Sequence, residues 1–263
     1  MPELPEVEIA AARLRAAAEH RVIESVRLLH PALRRQLSRT DVSVLRGARI
    51  ERVERRGKHQ LLHLDNDHTL LAHFRMSGDW HIAPRGSRRP AYARAELVLD
   101  DGTRVTLDDP RALSTLAVAP TNALPLPSLG PDPLTRAFTA PALGAALARR
   151  NGPVKPALLD QSVVAGVGNI YASEALWRAR VHPSVPASAL SAGALRSLAA
   201  AIRFVLRAAL SDAKRYYGSE REQPERFAVY DRMGEPCRRC GTAIVRMTQA
   251  GRSTYYCPSC QRE

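Results

Sequence analysis

The chain has 263 residues, with 39 Lys plus Arg against 26 Asp plus Glu, a formal charge of +13 and a pI near 10.4. Its 45% apolar content is enough for real cores, in one large or two medium domains. A balance this basic points to a polyanionic partner, nucleic acid above all, although a generally Arg-rich proteome would give the same charge. The most apolar long stretch, 190–210, is interrupted by Arg196, Arg203 and Arg207, which excludes a membrane span there. The acidic N-terminus lacks a basic-then-apolar leader pattern, so a cytoplasmic protein with no membrane partner is expected.

The chain opens MPELPEVE. Initiator Met is normally trimmed before a small residue such as Pro, which would leave Pro2 as a free secondary amine beside Glu3. An α-amino group titrates at roughly 7.7–8.0, so part of it is neutral near pH 7 and able to attack an electrophilic carbon. Attack on a sugar C1′ closes to a charged iminium, which draws electrons and favours elimination further along the sugar. Glu3 is placed to move a proton at the same centre. Read alone, Pro-Glu is a helix start: Pro suits the first turn and Glu complements its positive end.

Apolar spacing near 3.6 predicts a helix over 3–20. From 22 to 119 the pattern turns to short alternating runs, VIESVRLL, ARIERVERR, HQLLHL, TLLAHF and RAELVLDDGTRVTLDD. The last holds Asp101-Gly102 between two alternating halves, a hairpin signal, and the set suggests a β-sandwich. Five prolines in PTNALPLPSLGPDP mark 120–133 as a linker. Helical patterns follow at 139–150, 155–162, 169–179 and 191–211, then a polar and aromatic stretch without clear period over 212–236. The expected class is α+β, with domains at 1–119, 134–233 and 234–263.

All four cysteines fall in the last 27 residues, as Cys237-x2-Cys240 and Cys257-x2-Cys260. Two such knuckles read as a zinc ribbon with four thiolates around one structural Zn2+, with short strands near IVRM and STYY. A reducing cytoplasm opposes the disulfide alternative. The ribbon has too little core to fold alone, so metal binding should supply its folding energy.

PELPEVE, RRGKHQLL, HFRMSG, the DPR turn, VVAGVGNIYASEAL and the four-cysteine ribbon occur in that order. Together they resemble the formamidopyrimidine-DNA glycosylase family, which includes the endonuclease VIII branch; Pro-Glu-Leu-Pro-Glu is closer to the formamidopyrimidine branch. The resemblance covers almost the whole chain. It implies an N-terminal β-sandwich with its first helix, a helix–two-turns–helix module and a zinc ribbon, with damaged double-stranded DNA bound across the cleft by a monomer. The implied activity is a DNA glycosylase/AP lyase of base excision repair, working through a Schiff base on Pro2 and successive β- and δ-elimination, and localised on nucleoid DNA in the cytoplasm.

The resemblance also distributes roles. Lys58 would assist β-elimination and hold a phosphate; by itself it is a lysine in a basic run. Met76 and Arg111 would enter the stack and fill the hole left by an extruded nucleotide, though Met76 alone reads equally as core filler. Lys155 and Asn169 would grip phosphate, with Arg150 and Arg149 as nearby cations. Asn169 would also cap the helix whose Gly166-Val167-Gly168 turn offers backbone N–H groups to a phosphate. Glu174 would be an inward structural or site carboxylate. Arg252, between the cysteine pairs, would reach lesion-side phosphates for δ-elimination; by itself it is a solvated hairpin arginine.

Three departures stand out. Leu113 replaces the family's aromatic wedge, which keeps insertion but loses stacking. Tyr92 stands where a phosphate-contacting His is usual; its hydroxyl donates without charge, and it is equally an ordinary sandwich Tyr. The 212–228 stretch, charged and shorter than the family's Gly/Ser-rich loop, weakens any inference of 8-oxoguanine preference. A catalytically silent damage- or abasic-site-binding relative is the alternative, and a zinc-ribbon protein of RNA or ribosomes a third reading that leaves PELPEVE unexplained.

Overall fold

The computed structural model describes residues 1–216 and 227–262 in two compact units. One comprises Met1–Pro2 and Glu6–Leu126, the other Glu3–Pro5 and Pro127–Glu263. The division at Leu126/Pro127 falls inside the Pro-rich stretch, and the ribbon groups with the helical half.

The N-terminal unit is a β-sandwich. One antiparallel sheet runs β1 (Ile23–Leu28), β6 (Ala93–Leu99), β7 (Thr103–Asp108), β5 (Asp79–Pro84). The other runs β2 (Ile50–Arg56), β3 (His59–Leu64), β4 (His68–His73), β8 (Thr115–Pro120). The Asp101-Gly102 hairpin forms as expected. Gly102 takes φ +79° and the Asp101 carboxylate accepts from Thr103 N at 2.9 Å, so the side chain closes the turn that the glycine permits. Helix α1 (Leu4–Ala18) sends Val7, Ala10, Ala11, Leu14 and Ala18 into the sandwich core beside Ile50, Leu62, Leu70 and Leu107, all at most 1% exposed. Burying a Leu or Val side chain there is worth about 1.5–3 kcal/mol each.

Besides a three-residue 3-10 turn at Thr121–Ala123, two helices and two strands of this unit escape the sequence pattern: α2 (Pro31–Gln36), α3 (Arg39–Leu45), β5 and β8. The two helices are six and seven residues long, too short for a 3.6-residue period to register, and are held by caps: His30 for α2 and a Ser38–Asp41 capping box for α3. β5 and β8 each end at a proline, at a sheet edge where a missing N–H costs no ladder bond.

The C-terminal unit packs α4 (Ala140–Leu147), α5 (Val154–Leu159), α6 (Asn169–Ala179) and α7 (Ala192–Tyr216) around Phe138, Leu143, Leu158, Leu176, Ile202 and Leu206. Leu4 is buried in this core. Arg203, one of the charges interrupting the apolar 190–210 run, is used structurally. From α7 it donates to Pro133 O at 3.1 Å and Phe138 O at 2.5 Å, fixing the end of the linker. The ribbon is the hairpin β9 (Val245–Gln249) and β10 (Arg252–Tyr256). Ala250 and Gly251, at φ +47° and +71°, make the two-residue turn whose left-handed positions match the strand twist. Among the described residues no helix is long and apolar enough to cross a membrane. Most of the charged 212–228 stretch lies outside the described residues.

Candidate active site and nucleic-acid interface

In the N-terminal unit, Lys58 lies on the two-residue turn joining β2 to β3, where Arg56 pairs with His59 and Gly57 supplies φ +57°. Arg55 pins this turn: its Nη1 donates to Gly57 O at 3.1 Å and its Nε to Glu8 Oε2 at 2.5 Å. Lys58 is largely buried at this turn. The neighbouring His73 is pushed down to about 3 by burial, by the His59 ring 4.7 Å away and by the charges of Arg75 and Lys58. It is therefore neutral near pH 7, and its Nδ1 accepts from Arg75 N at 2.9 Å.

Met76, Tyr92 and Leu113 are large side chains left in solvent, at 40%, 48% and 49% exposure, and Arg111, two residues before Leu113, is exposed as well. A core-filler role for Met76 is thereby excluded. Tyr92 adjoins the Asp-Pro-Arg turn: its carbonyl accepts from Asp109 N at 3.0 Å, and the Arg94 guanidinium lies 5.8 Å from its ring. Asp109 of the Asp-Pro-Arg motif also accepts from the hydroxyl of Ser77, next to Met76, a contact that no local sequence signal marks.

In the C-terminal unit the organising group is Glu3. Its carboxylate, 1% exposed, accepts from Gly168 N at 2.9 Å, Ile170 N at 2.8 Å and Tyr171 N at 3.2 Å. These are orphan donors of the first turn of α6, where the helix dipole favours negative charge. Two glycines make room for the N-terminal segment. A Cβ on Gly168 would fall 2.4 Å from Glu3 Cδ, and one on Gly166, already at φ +85°, would fall 2.7 Å from the Leu4 side chain. Leu4 N also donates to Gly166 O at 3.0 Å. Two expectations are corrected. Asn169 does not cap α6: the N-cap is Gly168, which has no side chain to do so, and the Glu3 carboxylate takes the first-turn N–H groups instead. For the same reason this helix start is not an open phosphate cradle.

Lys155 and Asn169 meet the ribbon. The Lys155 ammonium, on a residue 1% exposed, donates to Asn169 Oδ1 at 2.6 Å, Thr254 Oγ1 at 2.7 Å and Ser253 O at 3.0 Å. Asn169 Nδ2 donates to Ser253 O at 2.9 Å. An ammonium has three donors; here all three point at protein, so Lys155 faces the hairpin and not solvent. Arg252, the residue before Ser253, is exposed at the first position of β10. Burial and the Arg252 charge push the Lys155 ammonium down to about 8, against a smaller opposing effect of Glu3. Arg150 is half-exposed and engaged, pairing with Asp160 at 2.6 Å and donating to Ser162 at 2.9 Å. Glu174 is inward: it accepts from Ala228, Val229 and Tyr230 N at 2.8–2.9 Å and so fixes the start of the segment leading to the ribbon.

The sulfurs of Cys237, Cys240, Cys257 and Cys260 lie within 4.8 Å of one another, and none is in a disulfide. A tetrahedral Zn2+ with Zn–S of about 2.3 Å requires S···S edges of about 3.8 Å. Three of the pairs, Cys240–Cys260, Cys240–Cys257 and Cys237–Cys260, lie close to that edge at 3.4, 3.5 and 4.0 Å. These four cysteines are the donor set for one structural zinc, whose binding would supply folding energy to the ribbon. Trp177 Nε1 donates to Cys237 Sγ at 3.4 Å, tying the site to α6; nothing in the sequence spacing marked that residue.

Residues 1–116 match the family model for the formamidopyrimidine-DNA glycosylase N-terminal domain and 129–218 that for its H2TH domain. Residues 234–262 match the zinc finger found in FPG and IleRS. The chain belongs to the formamidopyrimidine-DNA glycosylase family. A formamidopyrimidine-DNA glycosylase of Heliobacterium modesticaldum is 44% identical over 100% of both chains, and one of Chloroflexus aurantiacus 40% identical over 99% of this chain and 98% of its own. Among solved structures, the Lactococcus lactis enzyme in complex with FAPY-dG-containing DNA superposes with a TM-score of 0.90 at 29% identity, covering 99% of this chain and 100% of that one. The Thermus thermophilus MutM protein gives 0.83 at 37% identity, covering 99% and 98%. Glycosylases of this family act in DNA repair and combine base removal with AP lyase activity.

Two outcomes follow. Lys155 binds fewer protons when folded than when unfolded between pH 8 and its ordinary value near 10.4, so stability should rise with pH through that window at this group. The urea midpoint of the wild type relative to Lys155→Met should therefore increase from pH 8 to pH 10; a flat or falling difference contradicts the assignment. Cys237→Ser should lose bound zinc and DNA affinity together, measured by metal analysis and a binding titration, whereas full zinc content would refute the ribbon site.

Proposed function

We propose that this glycosylase removes oxidised bases and cleaves the resulting abasic site through a Schiff base on Pro2. The observation that carries the reading is the Glu3 carboxylate, locked on three backbone N–H groups of α6 one residue after the proposed nucleophile. A fixed carboxylate there limits where the Pro2 nitrogen can go and leaves a proton-moving group at the same centre.

Met1 precedes Pro2 in the chain, so Met1 must be removed before Pro2 carries a lone pair. The Pro2 nitrogen then attacks C1′, the C1′–N bond to the base breaks, and the base leaves with a proton. Opening of the sugar gives a cationic iminium, with Glu3 handling the proton at the ring oxygen. Loss of a C2′ proton expels the 3′ phosphate (β-elimination), and a second elimination expels the 5′ phosphate. Lys58 is suited to neutralise a phosphate next to the iminium, and Arg252 to assist the second elimination from the ribbon tip. Arg150, Tyr92 and Asn169 are the further DNA contacts this reading assigns, and Lys155 contributes by holding the Arg252 hairpin. Met76, Arg111 and Leu113, exposed on neighbouring turns, fill the space left by the extruded nucleotide. A cytoplasmic, nucleoid-associated monomer is the working form this reading implies.

Borohydride reduction on abasic-site duplex should give a covalent complex with the mature protein, and Pro2→Gly should lower its yield by at least about tenfold. Peptide mass analysis should place the link on residue 2. Retained DNA binding with no capture would favour the catalytically silent relative, the reading that Leu113 in place of an aromatic wedge supports.

A further inference from the structure

The carboxylate of Asp109 lies between the two segments that carry the exposed Met76 and the exposed Arg111 and Leu113. Asp109 itself is fully buried. Its Oδ1 accepts from the Ser77 hydroxyl at 2.5 Å and from Arg111 N at 3.2 Å. Its Oδ2 accepts from Leu113 N at 2.8 Å, Ser114 N at 2.7 Å and Ser114 Oγ at 2.8 Å. The Ser114 hydroxyl also lies 3.1 Å from Phe74 O, in the segment that leads to Met76. The two segments pack so closely that a Cβ on Gly78 would fall 2.2 Å from Ser114 Oγ and 3.1 Å from the Phe74 backbone.

Both turns also hold a residue in a conformation that L-amino acids resist. Arg75 has φ +55° and Ala112 φ +52°. Such strain persists only where surrounding bonds over-determine the backbone. For Ala112 those bonds come from Asp109, whose carbonyl accepts from Ala112 N at 3.1 Å and whose carboxylate binds the residues on either side.

We propose that Asp109 is a positioning residue that joins the Met76 turn and the Arg111–Leu113 turn into one rigid probe, so that the side chains filling the vacated space and meeting the orphaned base enter DNA together. Neither turn then inserts alone. Ser77 is the tether: it sits next to Met76 and reaches across to a carboxylate that otherwise serves only the other turn. The inference rests on the reading that these side chains enter the DNA stack. It does not require the Pro2 chemistry.

The test is a binding measurement that needs no catalysis. Duplexes carry a stable tetrahydrofuran abasic analogue with 2-aminopurine either opposite the gap, reporting the Arg111 turn, or beside it on the same strand, reporting Met76. Ser77→Ala cuts the tether while leaving the bonds of Asp109 to its own turn. It should lower both fluorescence responses together, by about threefold or more at saturating protein, with a cooperative thermal transition retained. In a Met76→Ala background, Ser77→Ala should have little further effect on the opposite-base signal. Asp109→Asn should lower both signals at least as far, and Ser77→Ala keeps the test decisive if that variant fails to fold. A response that falls only beside the gap, or multiplicative effects of Ser77→Ala and Met76→Ala, would overturn the single-probe assignment. So would the absence of any 2-aminopurine response in the wild type. A normal response in a protein that gives no borohydride capture would leave this inference standing while removing the lyase reading.

Discussion

A single carboxylate, Glu3, accepting three N–H groups at the start of α6 is the interaction on which the rest of the site depends. The first turn of a helix has unsatisfied donors and a positive end, and here the third residue of the chain supplies the acceptor. That fixes a chain end, which is ordinarily the loosest part of a domain, against a rigid element. It also explains Gly166 and Gly168: the sequence needs space at both positions for Leu4 and Glu3, and a methyl group at either would collide.

A second buried charge, Lys155 on α5, reaches the start of the same helix. Lys155 binds the Asn169 side chain and the ribbon strand at Ser253 and Thr254, so the hairpin ending in Arg252 is registered to the turn of α6 that Glu3 caps. Zinc holds the other end of that hairpin, where Trp177 bonds Cys237. Loss of either anchor leaves Arg252 on an unsupported turn. Glu174 repeats the device of Glu3 lower on α6, taking three successive backbone N–H groups at 228–230.

Much of this was legible in the sequence where chemistry is local. The knuckle spacing specified the metal site, Asp-Gly the β6–β7 hairpin, alternation the sandwich strands, and ordered motifs the family. What was not legible depends on partners far apart in the chain. Asn169 looks like a helix cap until a carboxylate more than 160 residues away occupies the position. Lys155 looks like a phosphate lysine until the ribbon is folded beside it. The short helices α2 and α3 carry too few residues for a period, and β5 and β8 finish at prolines that read as breaks. Asp109 stood in plain view in the Asp-Pro-Arg motif, but its five acceptor contacts come only with the fold.

The most direct test removes the Glu3 carboxylate and reads the helix start. In Glu3→Ala, amide hydrogen exchange at Ile170 and Tyr171 should accelerate by about tenfold or more relative to amides deeper in α6, with no change in the sandwich strands. Unchanged protection at those two amides would contradict the account, because the chain end would then be held by something other than this carboxylate.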